Sequence, residues 1–337
     1  MPEYLTAKEI EEYHSRGITF ITVKQMPVLT DEAREVMKRL GFEIRVEPPG
    51  PAVNIGTLQT PAPVCSSRPQ SFKQRMQSDR RLVGTFIQIA HPVMTEFVGK
   101  LGFDLLIIDA EHSAMDIETI QAMLQGLAAT PSYGIVRIPA ISSRYIASYL
   151  DAGADAILVP QVRSAEEVRM VGDAALYPPD GKRGIGPGRA TDFGLNILGR
   201  KVAPNKDTVV IIQIETREAL NNLEEILAVE FFDMVFIGSG DLSMNLGIFG
   251  EFSHPILTGE ITNIIKASKG RQKKVGIFAW NVEMAAEWLS HGVDMVVINS
   301  ELGLMAQFVK QSLAKLDMLL NKDSDKGQVN SDELRKQ

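Results

Sequence analysis

From residue 80 to about residue 320, short β-branched runs alternate eight times with amphipathic helical stretches. The strands read at Val83–Ile89, Leu105–Asp109, Gly134–Ile138, Ala156–Val159, Val209–Ile214, Met234–Ile237, Val275–Phe278 and Met295–Asn299. Helical periods follow near 93–101, 117–128, 143–152, 165–176, 217–228, 260–268, 282–290 and 302–320. Eight βα units of this length predict an α/β chain closed into a parallel (β/α)8 TIM barrel. A doubly wound open sheet would want a Gly-rich nucleotide turn after its first strand, and Gln88-Ile89-Ala90-His91-Pro92 is not one.

The remainder divides around that barrel, assigned to residues 80–321. Residues 1–46 read as a small N-terminal α/β appendage. Thr6 and Glu9 have capping-box spacing ahead of a helix over Ile10 to His14, and Ile18 to Val23 reads as a strand. A second helix starts at Asp31 and stops at Gly41, before a strand over Phe42 to Val46. So small a unit buries little core alone and is expected to dock on the barrel or on a protein partner. Residues 47–79 read as a Pro-rich linker carrying Cys65 as an exposed thiol, and residues 322–337 as a disordered polar tail. The net charge is −7, with no basic block, which speaks against nucleic acid or an anionic membrane as partner. One cysteine excludes an intrachain disulfide and a Cys-based structural zinc site. Met1-Pro2-Glu3-Tyr4 has no signal-peptide character, and no run approaches the roughly 18 apolar residues of a membrane span. A soluble, cytoplasmic protein is expected.

Barrel chemistry sits at the C-terminal ends of the strands. Strand 2 ends Asp109-Ala110-Glu111-His112, strand 3 ends Arg137-Ile138-Pro139, strand 5 ends Gln213-Ile214-Glu215, and strand 6 ends Gly238-Ser239-Gly240-Asp241. Glu215 and Asp241, on neighbouring strands, suit a hard divalent ion such as Mg²⁺ or Mn²⁺, leaving positions for a bidentate 2-oxo acid. Either acid alone reads equally as a helix or turn cap. Arg137 suits a carboxylate or a developing enolate oxygen, or forms a buried ion pair with Asp109 or Glu111. His112 is a candidate base, or a structural histidine. No lysine ends a strand, which disfavours Schiff-base chemistry. A Gly-x-Ser-x-Gly elbow is also missing from the sequence. The basic loop from Gly181 to Ala190 lacks the P-loop ending.

These strand ends resemble the HpcH/HpaI family of metal-dependent pyruvate aldolases. The resemblance rests on Gly102-Phe103-Asp104 with Ile108-Asp109-Ala110-Glu111-His112, Val136-Arg137-Ile138-Pro139, Leu150-Asp151-Ala152-Gly153-Ala154 and Val159-Pro160-Gln161-Val162. It continues through Tyr177-Pro178-Pro179-Asp180-Gly181-Lys182-Arg183-Gly184, Gln213-Ile214-Glu215-Thr216-Arg217-Glu218-Ala219 and Phe236-Ile237-Gly238-Ser239-Gly240-Asp241-Leu242-Ser243. It implies reversible cleavage of a 4-hydroxy-2-oxo acid to pyruvate and an aldehyde, with Mg²⁺, Mn²⁺ or Co²⁺, in a homo-oligomer, usually a hexamer. It implies Glu215 and Asp241 as metal ligands, His112 as general base and Arg137 as transition-state stabiliser. Asp151 takes its role, raising the basicity of His112, only from the resemblance. Gln213, Ser239, Gly240 and Asp241 are implied at the substrate. The family often has Gly where this chain has Ala110, and Gly-Pro-Ala-Asp where it has Gly238-Ser239-Gly240-Asp241. Residues 1–78 fall outside the pattern and are similar to short modules on enzymes of bacterial microcompartments. A carbon–carbon lyase of acyl-CoA esters, of the citrate lyase β or malyl-CoA type, and a non-catalytic binding or scaffold barrel are the alternative readings.

Overall fold

The structure, a computed structural model, describes residues 4–15, 20–23, 28–46, 68, 70–78, 80–195, 197 and 205–333. Cys65 and most of the expected linker lie outside them. The chain forms two compact units, Met1–Pro63 and Val64–Gln337.

The first unit repeats one motif. β1 (Tyr4–Leu5), α1 (Ala7–Ser15) and β2 (Phe20–Val23) are followed by β3 (Val28–Leu29), α2 (Asp31–Leu40) and β4 (Glu43–Val46). β1 pairs in parallel with β3, and β2 with β4. Each helix starts after Leu-Thr. The Thr6 backbone N–H donates to Glu9 Oε2 at 2.8 Å and the Glu9 N–H to Thr6 Oγ1 at 3.4 Å, a reciprocal capping box. Thr30 Oγ1 accepts from the Ala33 N–H at 3.1 Å. Gly41, at φ 62°, ends α2 in the left-handed region. Leu5, Ile10, Ala33, Val36 and Phe42 form the small core.

The second unit opens with α3 (Phe72–Gln77), where the sequence reads as linker. Its period is hidden because it is a six-residue helix among prolines, but Ser71 and Gln74 cap it reciprocally. Eight parallel strands then close into a barrel: β5 (Leu82–Ile87), β6 (Leu105–Asp109), β7 (Tyr133–Arg137), β8 (Ala156–Val159), β9 (Val210–Ile214), β10 (Met234–Ile237), β11 (Lys274–Ala279) and β12 (Met295–Ser300). Between and after them lie α4 (Pro92–Gly99), α5 (Ile117–Leu127), α6 (Ser143–Asp151), α7 (Ala165–Ala175), α8 (Arg217–Asn221), α9 (Leu223–Leu227), α10 (Ser239–Asn245), α11 (Pro255–Gly270), α12 (Val282–Ser290) and α13 (Glu301–Glu333). The stretch expected as one helix over 217–228 is broken at Asn222. His91 and His254, each before a proline, cap α4 and α11 by accepting the N–H two residues on at 3.2 Å.

Strand residues are buried on both faces, as an all-parallel sheet requires. Leu106 and Ile108 pack outward under the helices, while Leu105 and Ile107 point inward. Phe72 and Met76 join the inward set and close the N-terminal end. Tyr133, 5.2 Å from Phe72 between ring centroids, donates its hydroxyl to the Gln70 carbonyl at 3.0 Å. Arg75 donates to Asp104 at 2.9 Å and to the Arg80 and Arg81 carbonyls. The barrel unit therefore begins before residue 80.

α13 continues to Glu333, into the segment expected as a disordered tail. Beyond Asn321 the helical stretch has no proline and one glycine, Gly327, so no steric stop interrupts it. Met305, Phe308, Val309, Leu313 and Leu316 on α13 remain exposed. Among the described residues no helix is long and apolar enough to cross a membrane.

Replacing Phe72 with Ala should lower the stability of the barrel by about 3–5 kcal/mol, the range for a buried aromatic lost from a core. Urea unfolding followed by circular dichroism measures it.

Candidate active site

β6 ends in Asp109, which has no exposure to water. Its Oδ1 accepts from the N–H groups of Glu111 at 3.2 Å and His112 at 3.3 Å, so this carboxylate shapes the loop that carries both residues. Arg137, one strand over, grips it in a fork: Nε to Oδ1 at 2.9 Å and Nη2 to Oδ2 at 2.7 Å. Arg137 Nη1 lies 3.3 Å from Glu111 Oε2, and its guanidinium sits 4.6 Å above the Phe86 ring. Both readings of Arg137 are thus realised, because it is ion-paired and also lines the cavity. Burial pushes Asp109 upward, but the Arg137 fork outweighs this and holds it below the usual carboxylate range. Burial works against the charge of Arg137 too, and Asp109 and Glu111 more than offset it. Glu111 is raised by its burial, with Arg137 and His112 opposing. The His112 ring is half in solvent, with Nε2 3.7 Å from Glu111 Oε2.

Glu215 directly follows β9, and Gly238 follows the neighbouring β10, donating its N–H to the Ile214 carbonyl at 3.2 Å. The helix after Glu215 is capped by Thr216, not by Glu215. The Glu215 carboxylate instead accepts the Gln161 N–H at 2.7 Å and a bond from Gln213 Nε2. Burial, with Asp241 and Glu111 adding to it, raises its pKa to about 7, against the Gln161 and Gln213 bonds. A Cβ on Gly238 would press into Glu215 Oε2 at 2.5 Å and Gln213 Nε2 at 2.8 Å, so this contact needs glycine. Asp241 stands in the first turn of α10, a helix the sequence reading did not resolve. Asn245 ties that helix to β9 by donating to the Glu215 carbonyl at 3.2 Å.

Asp109, His112, Arg137, Gln213, Gly238, Gly240 and Asp241 all line one cavity of about 270 Å³ at the C-terminal mouth, at the small end of the range for small-molecule sites. Three expected residues do not line it: Glu215, which is buried against Gly238 and Gln213, and Ser239 and Asp151. Ser239 turns its hydroxyl away, donating to the Phe278 carbonyl at 3.0 Å. Asp151 is the last residue of α6, whose nine residues run about 13 Å back from the mouth. Its partner is Arg183 at 2.5 Å, which lines a cavity with Phe72 at the opposite end of the barrel. Within this chain Asp151 therefore does not reach His112.

Several contributors were not singled out from sequence. Gln161 holds Glu215 from φ 54°, and its side chain reaches Glu111 at 3.3 Å. Asn299 lines the cavity from φ 50°. Gln88 also lines it, and its N–H and that of Ile89 both donate to the buried Glu301 at 2.6 Å. A non-glycine residue with positive φ marks a functional site more often than chance, but amide residues give no charge pattern to find it by.

The donor set fits a divalent cation. Glu215 and Asp241 supply carboxylate oxygens, Glu215 is buried against its own ionisation, and Gln213 Oε1 is buried without a hydrogen-bond partner among the described residues. Among those residues no three His, Cys, Asp or Glu side chains converge, and an ion held by two acids would keep coordination positions open.

Residues 82–307 match the HpcH/HpaI aldolase/citrate lyase family. A hydroxypyruvate/pyruvate aldolase of Roseobacter denitrificans is 35% identical over 76% of this chain and 98% of the relative. A 4-hydroxy-2-oxo-heptane-1,7-dioate aldolase of Salmonella arizonae is 35% identical over 70% of this chain and 90% of the relative. The crystal structure of a HpcH/HpaI aldolase/citrate lyase family protein from Burkholderia cenocepacia aligns with TM-score 0.70 at 28% identity, covering 73% of this chain and 98% of that one. A closed barrel, acids at neighbouring strand ends and relatives matched almost from end to end agree: the chain belongs to the HpcH/HpaI aldolase/citrate lyase family.

Proposed function

We propose that this chain is an aldolase that cleaves 4-hydroxy-2-oxo acids to pyruvate, or a pyruvate analogue, and an aldehyde, and runs the reverse condensation, with a divalent cation held by Glu215 and Asp241. The observation that carries this reading is the buried Glu215 carboxylate, its ionisation opposed by burial and by Asp241, packed against Gly238 and Gln213, which line the cavity together with Asp241 and Arg137. When bound, Mg²⁺, Mn²⁺ or Co²⁺ would supply positive charge against the 2-oxo acid. The protein's own groups do the rest. Arg137 has N–H groups beyond those taken up by Asp109 and Glu111, and these stabilise negative charge as the C3–C4 bond breaks and its electron pair moves toward the 2-oxo group. His112, at the rim, takes the C4 hydroxyl proton in cleavage and returns it in condensation. Gln161 and Gln213 hold the Glu215 carboxylate in place. The exposed apolar residues of α13 support the homo-oligomer that the resemblance implies.

The test is exchange of pyruvate methyl protons in deuterated water, followed by mass spectrometry. Exchange should need Mn²⁺ or Mg²⁺ and vanish with chelator. Replacing Glu215 or Asp241 with Ala should abolish it, and full exchange in either variant would sink the assignment. Replacing His112 with Ala should lower the cleavage rate by about 10²–10⁴-fold, the usual worth of a general base.

Glu215 also sets a pH dependence. Its folded pKa, about 7 against an ordinary 4.5, lies above the unfolded value, so the ion-free folded chain keeps a proton that the unfolded chain releases. The resulting stabilisation is complete below the unfolded pKa and is lost as pH rises through about 7. Relative to E215Q, the ion-free protein should lose roughly 2–3 kcal/mol of stability between about pH 5 and 8. Urea unfolding of both proteins in chelator at the two pH values checks the sign.

A further inference from the structure

The cavity has a second, chemically different side. Asp109, His112, Arg137 and Gln213 come from β6, β7 and β9 and the turn after β6, and Asp241 from α10 after β10. Facing them are Phe278 and Trp280 from β11 and its end, Phe249 from the loop between α10 and α11, and Asn299 from β12. Trp280 packs edge-to-face on Phe278 at 4.9 Å and 84°, and tilted on Phe252 at 5.2 Å. Trp280 is 39% exposed and Phe249 62%. Asn299 fixes the backbone here, donating Nδ2 to the Trp280 carbonyl at 3.2 Å. On the other side, a Cβ built on Gly240 would lie 3.8 Å from Trp280 Cζ2. The indole edge therefore stands beside Gly240, the residue preceding Asp241.

Charge points the same way. Among the described residues lining the cavity, Arg137 is the only fixed cation, and its fork is closed on Asp109. Asp109 and Asp241 are anions. A carboxylate on the distal end of an aldehyde would meet an apolar wall with no unpaired cation beside it, and burying it there is unfavourable. An aromatic or other flat apolar group would stack on Trp280 and Phe249 instead.

Resting on the aldolase reading above, we infer that Trp280, Phe278 and Phe249 form the acceptor subsite, and that the acceptors are uncharged apolar aldehydes, aromatic ones foremost, rather than carboxylate-bearing ones. In condensation the C3 nucleophile derived from pyruvate attacks the aldehyde carbonyl carbon. The new C3–C4 bond forms, the carbonyl π pair moves to oxygen, and that oxygen takes a proton to become the C4 hydroxyl. The aldehyde's substituent lies on the indole throughout. The Salmonella relative named for a heptane-1,7-dioate handles a substrate whose cleavage leaves a carboxylate on the aldehyde. This chain is expected to differ from it at that end.

The full-length protein with Mn²⁺ and pyruvate would be assayed with phenylacetaldehyde, glycolaldehyde and succinic semialdehyde, scoring products by mass spectrometry. The expected kcat/KM for phenylacetaldehyde exceeds that for succinic semialdehyde at least about tenfold, the scale set by a few apolar groups in a pocket. W280A should lower the phenylacetaldehyde-to-glycolaldehyde ratio at least about tenfold, and W280F should restore most of it. Unreactive benzyl alcohol should shift tryptophan emission of the wild type and not of W280F, a readout independent of turnover. Equal or better use of succinic semialdehyde, or an unmoved ratio in W280A, overturns the inference. Methyl-proton exchange of pyruvate without aldehyde separates the two levels. Exchange with the wrong aldehyde preference sinks the acceptor subsite alone, whereas no exchange with pyruvate or hydroxypyruvate sinks the aldolase reading and the subsite with it.

Discussion

Asp109 sits at the end of β6 with no exposure to water, gripped by two hydrogen bonds from Arg137 on the adjacent strand. Such a pair adds little net stability, since both charges have been taken out of water. Losing one member is another matter, because the survivor stays charged in a low-dielectric site at a cost of about 3–5 kcal/mol. The pair therefore acts as a latch. Asp109 also accepts two backbone N–H groups from the loop bearing Glu111 and His112, so the latch on β7 fixes the loop on β6. The rest of the mouth depends on that. Glu111 faces Arg137, Gln161 bridges Glu111 and Glu215, and Glu215 meets Gln213 and Gly238.

This chain of contacts runs through β6, β7, β8 and β9, covering half of the barrel circumference. The other half supplies rings. Phe86 and Phe236 meet edge-on at 6.4 Å, and Phe86 lies 5.8 Å from Phe278. Both Phe86 and Phe236 are buried, and they separate the polar mouth from the inward aliphatic core. Hydrogen-bonded charge on one side and aromatic faces on the other let one small cavity hold an acidic, oxygen-rich reactant and an apolar one.

Much of this was legible in the sequence, for a local reason. A charged residue at the end of an apolar strand, or in the turn that follows it, stands at the barrel mouth, so Asp109, Arg137, Glu215 and Asp241 are legible there. Strand boundaries agreed within a residue or two because inward and outward faces are both apolar and the runs are continuous. What escaped depends on contacts distant in sequence. α3 is short and takes its meaning from the barrel end that Phe72 fills. Gln161 and Asn299 are uncharged, and their placement requires positive φ that composition does not reveal. The Ser239 hydroxyl is drawn to a carbonyl on the next strand. Asp151, taken from a motif alone, was carried by its helix to the far end of the barrel.

Gly303, in the first turn of α13, touches no reactant, yet the side chain of Asn299 occupies the space that a Cβ on residue 303 would fill. Even alanine there would displace Asn299 and, through it, the backbone beneath Trp280. A side chain at 303 would act on the wall through Asn299 without itself lining the cavity. A glycine with no chemistry of its own thus bears on the acceptor wall from outside the cavity.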